Sequence, residues 1–281
     1  LPKVSIDAGC ALHYEIDCFA EPWRRPETIL LVHGIGGNSR EWFAWVPPLA
    51  GAYSVLRVDL RGWGQSTIPP DDYDWSMDNF ASDLVALMDR LGLAKVHLVG
   101  AKLGGRIALH MARSHPERLY SMSLVSTPMT LKTLPNDSRE NRPTREGGAK
   151  GVEDWARGSM KIRLGEVDPA MMDWWIDLYS QSPPSVIGRV FDLAWWTDET
   201  QLLSGITVPT LVIDSTAVRS ADEIRKWQCL IEGSRLALIP VTSGGRHISA
   251  TKPLECVAAL RTFLAGLEPQ RASLGDNNNT L

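Results

Sequence analysis

The chain has 281 residues, 44% of them apolar and 22% charged, and a formal net charge of −4. This length and balance suit one large α/β domain, or one domain carrying an insertion. Several classes are excluded at once. No basic run is long enough for a nucleic-acid or polyanion surface, no stretch of about 18 apolar residues offers a membrane span, and the opening residues do not read as a signal peptide. Cys10, Cys18, Cys229 and Cys256 form no CxxC pair and no Cys/His cluster with zinc spacing. They read as free buried thiols of a cytoplasmic protein. The expectation is a protein without metal or cofactor, monomeric or homodimeric, whose partner is a small molecule.

Taken in chain order, "VSIDAGCALHYEIDCF" alternates about an Ala-Gly pair and predicts a hairpin. "TILLVHG" (Thr28–Gly34) is an unbroken apolar run ending in glycine, the mark of a strand buried on both faces. "EWFAWVPPLA" follows as a helix. "YSVLRVDLRGWGQS" (Tyr53–Ser66) is a second buried strand running into a glycine-rich turn. "SMDNFASDLVALMDRLGL" is an amphipathic helix that Ser76 or Asp78 can cap and Gly92 can end. "KVHLVG", "GGRIALHMARSHPERL" and "YSMSLVST" continue as strand, helix and strand. Strict alternation predicts a doubly wound, mostly parallel sheet, whose working groups sit at the carboxyl ends of the strands.

The pattern then breaks. Lys132–Gly151 is polar and without periodicity, and predicts a mobile loop. From Val152 to about Leu203 the chain is helical in pattern and rich in tryptophan, with Trp155, Trp174, Trp175, Trp195 and Trp196. "GITVPTLVIDST" restarts the sheet, "SRLALIPVTSGGRHIS" supplies its last strand and exit loop, and "KPLECVAALRTFLAGL" closes as a helix. The predicted organisation is a core from 1–130 and 205–267, a helical lid from 131–204 and a flexible tail from 268–281.

Four glycine-rich motifs fall at predicted strand ends: "HGIGG" (His33–Gly37), "DLRGWGQS" (Asp59–Ser66), "GAKLGG" (Gly100–Gly105) and "GGRHIS" (Gly244–Ser249). In this order and these slots the chain resembles the α/β-hydrolases, specifically their lid-bearing, enol-lactonase and C–C-hydrolase-like branch. The resemblance spans about Ser5 to Leu267. It implies that "HGIGG" is the oxyanion loop, "DLRGWGQS" the D-x-R-G-x-G-x-S turn, "GAKLGG" the nucleophile elbow G-x-S-x-G, and "GGRHIS" the loop delivering the histidine.

Carried over position by position, the resemblance makes the backbone N–H groups of Ile35 and Leu103 the oxyanion donors. It makes His247 the catalytic histidine, while His33 supports its own loop and His13, His97, His110 and His115 fall at strand or helix positions. Two slots depart from the pattern. The acid slot beyond "PTLVI" holds Val218, leaving Asp214 and Asp222, four residues to either side, as candidate acids. The nucleophile slot holds Lys102, so no ordinary Ser-His-Asp triad can form.

Burial under a lid and the positive end of the following helix both disfavour the ammonium form of Lys102. As an acyl nucleophile it would yield a stable amide. Three roles stay open: a general base or acid with His247, a Schiff base with a ketone or aldehyde, or a charged contact for a substrate carboxylate while His247 activates water. Adjacent tryptophans cannot share a helix face, so at least one of each pair is expected to face the pocket or a partner. The expected function is an enzyme acting on a small apolar carbonyl compound, an ester, lactone or C–C bond beside a carbonyl, through a Lys102/His247 site. The alternative is a catalytically silent homologue that binds a small apolar ligand.

Overall fold

The computed structural model describes residues 2–132, 143, 146–241 and 245–267. The expected tail at 268–281, Gly244 and most of the polar stretch after Lys132 lie outside the described residues.

The hairpin is β1 (Lys3–Asp7) and β2 (Cys10–Asp17), which pair antiparallel. β3 (Thr28–Val32), β4 (Ser54–Val58), β5 (Val96–Ala101), β6 (Leu119–Val125), β7 (Thr210–Asp214) and β8 (Arg235–Leu238) join them in one sheet, ordered β1-β2-β4-β3-β5-β6-β7-β8. Every pairing from β4 through β8 is parallel, and β2 meets β4 antiparallel. β3, β5 and β7 are buried at every residue, so their sequences are mostly apolar and do not alternate.

Helices cover both faces. α1 (Val46–Leu49) and α9 (Pro253–Ala265) pack with Trp42, Trp45 and Ile248 on one side. α2 (Met77–Arg90) and α3 (Leu103–Ser114) pack on the other. Ser76 caps α2 by accepting from the Asn79 N–H, as its position predicts. "EWFAWVPPLA" does not form one helix. It splits into a 3₁₀ turn at Ser39–Trp42 and the short α1, because Pro47 and Pro48 can open a helix but cannot continue one from upstream. Cys10 and Cys256 are buried, whereas Cys18 and Cys229 are exposed, against expectation: both fall outside the buried strands and helix faces.

Between β6 and β7 come α4 (Gly148–Leu164), α5 (Pro169–Ser180) and α6 (Pro184–Trp196). The predicted loop therefore ends earlier than expected, with Gly148–Gly151 already in the first turn of α4. Ala156, Met160, Leu164, Trp175, Leu178 and Tyr179 form a small core between α4 and α5, which also touches Ala250 of α8 (Ile248–Thr251). Arg106 of α3 fastens the far end of this insertion: it ion-pairs with Glu199 at 2.8 Å and donates to the Ala194 carbonyl at 2.7 Å. α7 (Ala221–Gln228) follows β7. No helix among the described residues is long and apolar enough to cross a membrane.

Candidate active site

The turn after β5 positions the first side chain. Lys102 adopts φ 55° and ψ −111°, a positive-φ conformation that costs a residue with a Cβ about 1–2 kcal/mol. Close approach of three backbones holds it there. A methyl added at Gly100 would lie 2.2 Å from the Gly104 carbonyl oxygen, and one added at Gly104 would lie 2.2 Å from that of Val32. The Lys102 N–H donates to Val125 O at 3.0 Å, and its own carbonyl accepts from the Arg106 N–H at 3.3 Å. The turn thus has the shape of an elbow that lifts one side chain above the strand ends, with a lysine at its apex.

That side chain enters a cavity of about 640 Å³ between α4 and the carboxyl ends of the strands. Ile35 and Leu103 line the same cavity. Leu103 heads α3, so its N–H has no acceptor within the helix. His33 is occupied as the sequence predicts: its Nδ1 bonds Gly34 O at 2.7 Å while its Nε2 accepts from the Leu60 N–H at 3.0 Å. The turn at Asp59 is also structural. Its carboxylate accepts from the N–H groups of Ser39 and Gln65, at 2.7 and 2.8 Å, and so ties two of the glycine-rich loops together.

Lys102 Nζ donates to the carbonyl of Arg246, and no described carboxylate lies within ion-pair distance of it. Burial depresses its pKa most; Asp214 opposes this, and the charges of Arg163, Arg219 and Arg246 add to it, leaving a value of about 7. Near neutrality a substantial share of the amine is therefore unprotonated, a state rare for lysine.

His247 reaches the cavity because two bonds fix its loop. Its backbone N–H donates to Arg163 O at 3.0 Å, and the Trp45 indole donates to Ser249 O at 2.8 Å. The ring is 1% exposed, with Trp175 at 5.0 Å and Tyr179 at 6.2 Å between ring centres. Neither ring nitrogen has a hydrogen-bond partner among the described residues. Burial first, then the charges of Lys102 and Arg163, hold the imidazole neutral well below its ordinary range.

Neither candidate acid orients this histidine. Asp214 lines the cavity, but its carboxylate is taken by the Ser215 N–H at 2.8 Å and by Arg219 at 3.0 Å. Asp222 is further away in kind: its side chain is 87% exposed in the first turn of α7 and faces Arg225 at 3.4 Å. Val218 in the acid slot lines the cavity.

The tryptophans are redistributed. Only Trp155 of the five lines the cavity. Trp175 packs behind His247, Trp174 meets Phe43 edge to face at 5.1 Å, Trp195 is buried, and Trp196 is 59% exposed. Each adjacent pair does split its faces, but the split is between interior and surface.

Four residues that sequence reasoning did not single out complete the surroundings. Arg163 and Arg246 line the cavity, and Tyr179 closes it beside Trp155. Glu41 lies beneath the His33–Gly37 loop, close enough that a methyl on Gly37 would fall 1.9 Å from its Oε2. Both its oxygens are buried, and burial pushes its pKa to about 8, against the pull of the Gly34 backbone first and then of Lys102 and Arg163. A carboxyl raised on folding supplies stability that is complete below its unfolded pKa and lost as pH rises through its folded one. Glu41→Gln is thus expected to raise Tm by about 2–5 °C above pH 8, with the gain vanishing toward pH 4.5. Calorimetric scans across that range check it.

The chain is similar to known proteins to different extents. Residues 27–160 match the alpha/beta hydrolase fold family. A putative non-heme chloroperoxidase of a Synechocystis species is 30% identical over 254 residues, covering 83% of this chain and 88% of that protein. A putative carbamate hydrolase, RutD of Caulobacter vibrioides, is 35% identical over 126 residues, and this chain spans only 45% of its length. The enol-lactonase of Burkholderia xenovorans superposes with a TM-score of 0.80 at 21% identity, over 94% of this chain and all of that one. A thermophilic esterase of Thermogutta terrifontis superposes with a TM-score of 0.79 at 25% identity, over 92% and 94% of the two chains. With an elbow of this geometry at the end of β5 and a relative aligned over most of both lengths, the chain belongs to the α/β-hydrolase fold family.

Proposed function

We propose that the protein is an enzyme that attacks the carbonyl of a small compound, an ester, lactone or carbamate, with Lys102 as general base in place of a serine nucleophile. The observation that carries this reading is the Lys102 amine: it stands at the elbow, faces the cavity and titrates at about 7. A base of that strength is well matched to neutral pH. In the step envisaged, Lys102 Nζ takes a proton from water as the water oxygen bonds to the carbonyl carbon. The resulting oxyanion is held by the N–H groups of Ile35 and Leu103. Collapse expels the alcohol oxygen, which takes its proton back from the Lys102 ammonium. No amide forms, so the site is not trapped. His247, neutral and with both nitrogens buried and unpaired among the described residues, becomes a second contact for the water once the substrate opens its surroundings. The α4–α6 insertion acts as a lid that keeps bulk solvent out. The carbamate hydrolase, enol-lactonase and esterase among the similar proteins support carbonyl chemistry of this class.

A second reading has its own observation. Neither ring nitrogen of His247 has a partner among the described residues, so nothing described orients it for catalysis, and the cavity can bind a ligand without turning it over. Initial rates on nitrophenyl esters, aryl lactones and carbamates between pH 5.5 and 9 separate the two. Because the free amine is the reactive form, the rate is expected to climb through about pH 7 and level off above it. Binding without turnover of any of these compounds favours the second reading.

A further inference from the structure

The cavity holds two guanidinium groups without a counter-ion. Among the basic residues lining it, Arg106 is paired with Glu199 at 2.8 Å and Arg219 with Asp214 at 3.0 Å. For Arg163 and Arg246 no described carboxylate lies within ion-pair distance. The other acid on the wall, Asp154, pairs with Lys150 at 3.2 Å near the surface. Glu41, beneath the His33–Gly37 loop, keeps its proton up to about pH 8 and so does not neutralise them.

Arg163 is also preorganised. Its guanidinium lies over the rings of Trp155 and Tyr179, at 5.0 and 5.2 Å, and its Nε donates to Ser159 Oγ at 3.2 Å. Its terminal nitrogens are left for a ligand. Arg246 adjoins His247, and its carbonyl holds the Lys102 amine. Like charges held together in a half-buried cavity without a described counter-ion are costly. A planar anion received by two forked donors removes that cost.

We propose that the substrate carries a carboxylate, bound by Arg163 and Arg246, with its apolar body against Leu103 and Phe191 and its reacting carbonyl at Lys102. The placement of the carbonyl rests on the reading given under Proposed function. Recognition of the carboxylate can be measured without turnover.

The test is calorimetric titration of the full chain with phenylacetate and with its neutral isostere, phenylacetamide. The wild type is expected to prefer the carboxylate by about tenfold or more. Arg163→Gln and Arg246→Gln are each expected to shrink that preference to about twofold, and Arg163→Lys to keep most of it. Arg157→Gln, on the exposed side of α4 and paired with Glu153, should change nothing. Lys102→Met should keep the preference even where turnover is lost, so the catalytic reading and the carboxylate site fail separately. Equal binding of the two compounds by the wild type overturns the proposal, as does an undiminished preference in both glutamine variants. Tighter binding of phenyl phosphate than of phenylacetate overturns the carboxylate assignment. If Arg163→Gln fails to fold, Arg246→Gln and Arg163→Lys decide.

Discussion

Lys102→Met should lower kcat/KM on the best ester or lactone by about 100- to 10,000-fold, the range spanned by loss of a positioned general base. Methionine keeps an unbranched stem of similar length, so the elbow and its glycine contacts survive while the titrating group goes. The pH profile should lose its rise near 7. Stability should move the other way. A lysine whose pKa falls on folding penalises the fold fully below its folded value, and the penalty fades as pH climbs to the unfolded value. Here those limits are about 7 and 10.5. Removing the amine should thus raise Tm at pH 6 and have little effect near pH 10.5. A variant less active yet more stable is the signature of a group kept for its chemistry. Lys102→Ser is the complementary construction: it restores the hydroxyl but leaves His247 without a carboxylate and Val218 in the acid slot. It should gain little or no esterase activity. Activity of Lys102→Met within about threefold of wild type would exclude the general-base role.

The parallel sheet was readable because strands buried on both faces are mostly apolar, and β3, β5 and β7 are, with Thr28, His97, Thr210 and Asp214 the exceptions. The elbow was readable because only glycines tolerate contacts like those at Gly100 and Gly104. What the chain did not display was the state of its charges. Whether an arginine is paired depends on which side chains the fold brings near, and nothing local distinguishes Arg163 from Arg106. Glu41 looks like a surface residue in "SREW", yet the His33–Gly37 loop covers it. The tryptophans were misassigned because periodicity tells which residues share a face, not what that face meets. Asp222 could have been set aside earlier. "SADE" at Ser220–Glu223 is a capping box, present in the structure, and it places Asp222 in an exposed first turn.

Gly104→Ala is expected to be the most disruptive single change to the fold near the site. The added methyl would lie 2.2 Å from Val32 O, 2.7 Å from Val32 C and 2.8 Å from His33 O. All three are backbone atoms at the end of β3, a strand paired on both sides by β4 and β5. No rotamer change relieves the clash, so either α3 must lift from the sheet or β3 must shift in register with its neighbours. Gly105→Ala makes a useful contrast: its closest contact, 1.9 Å, is the side-chain oxygen of Thr127, which Thr127→Ser or Thr127→Ala can in part relieve. For Gly104→Ala the cost should be about 3 kcal/mol or more, lowering Tm by roughly 6–12 °C. Because Leu103 of α3 and Ile35 of the His33–Gly37 loop are the proposed oxyanion donors, activity should fall even in the fraction that remains folded. Paired melting and rate measurements on Gly104→Ala, Gly105→Ala and the Gly105→Ala/Thr127→Ala double variant check this order. Wild-type stability in Gly104→Ala would mean that helix and strand do not meet this closely, and the elbow geometry that holds Lys102 over the cavity would fall with it.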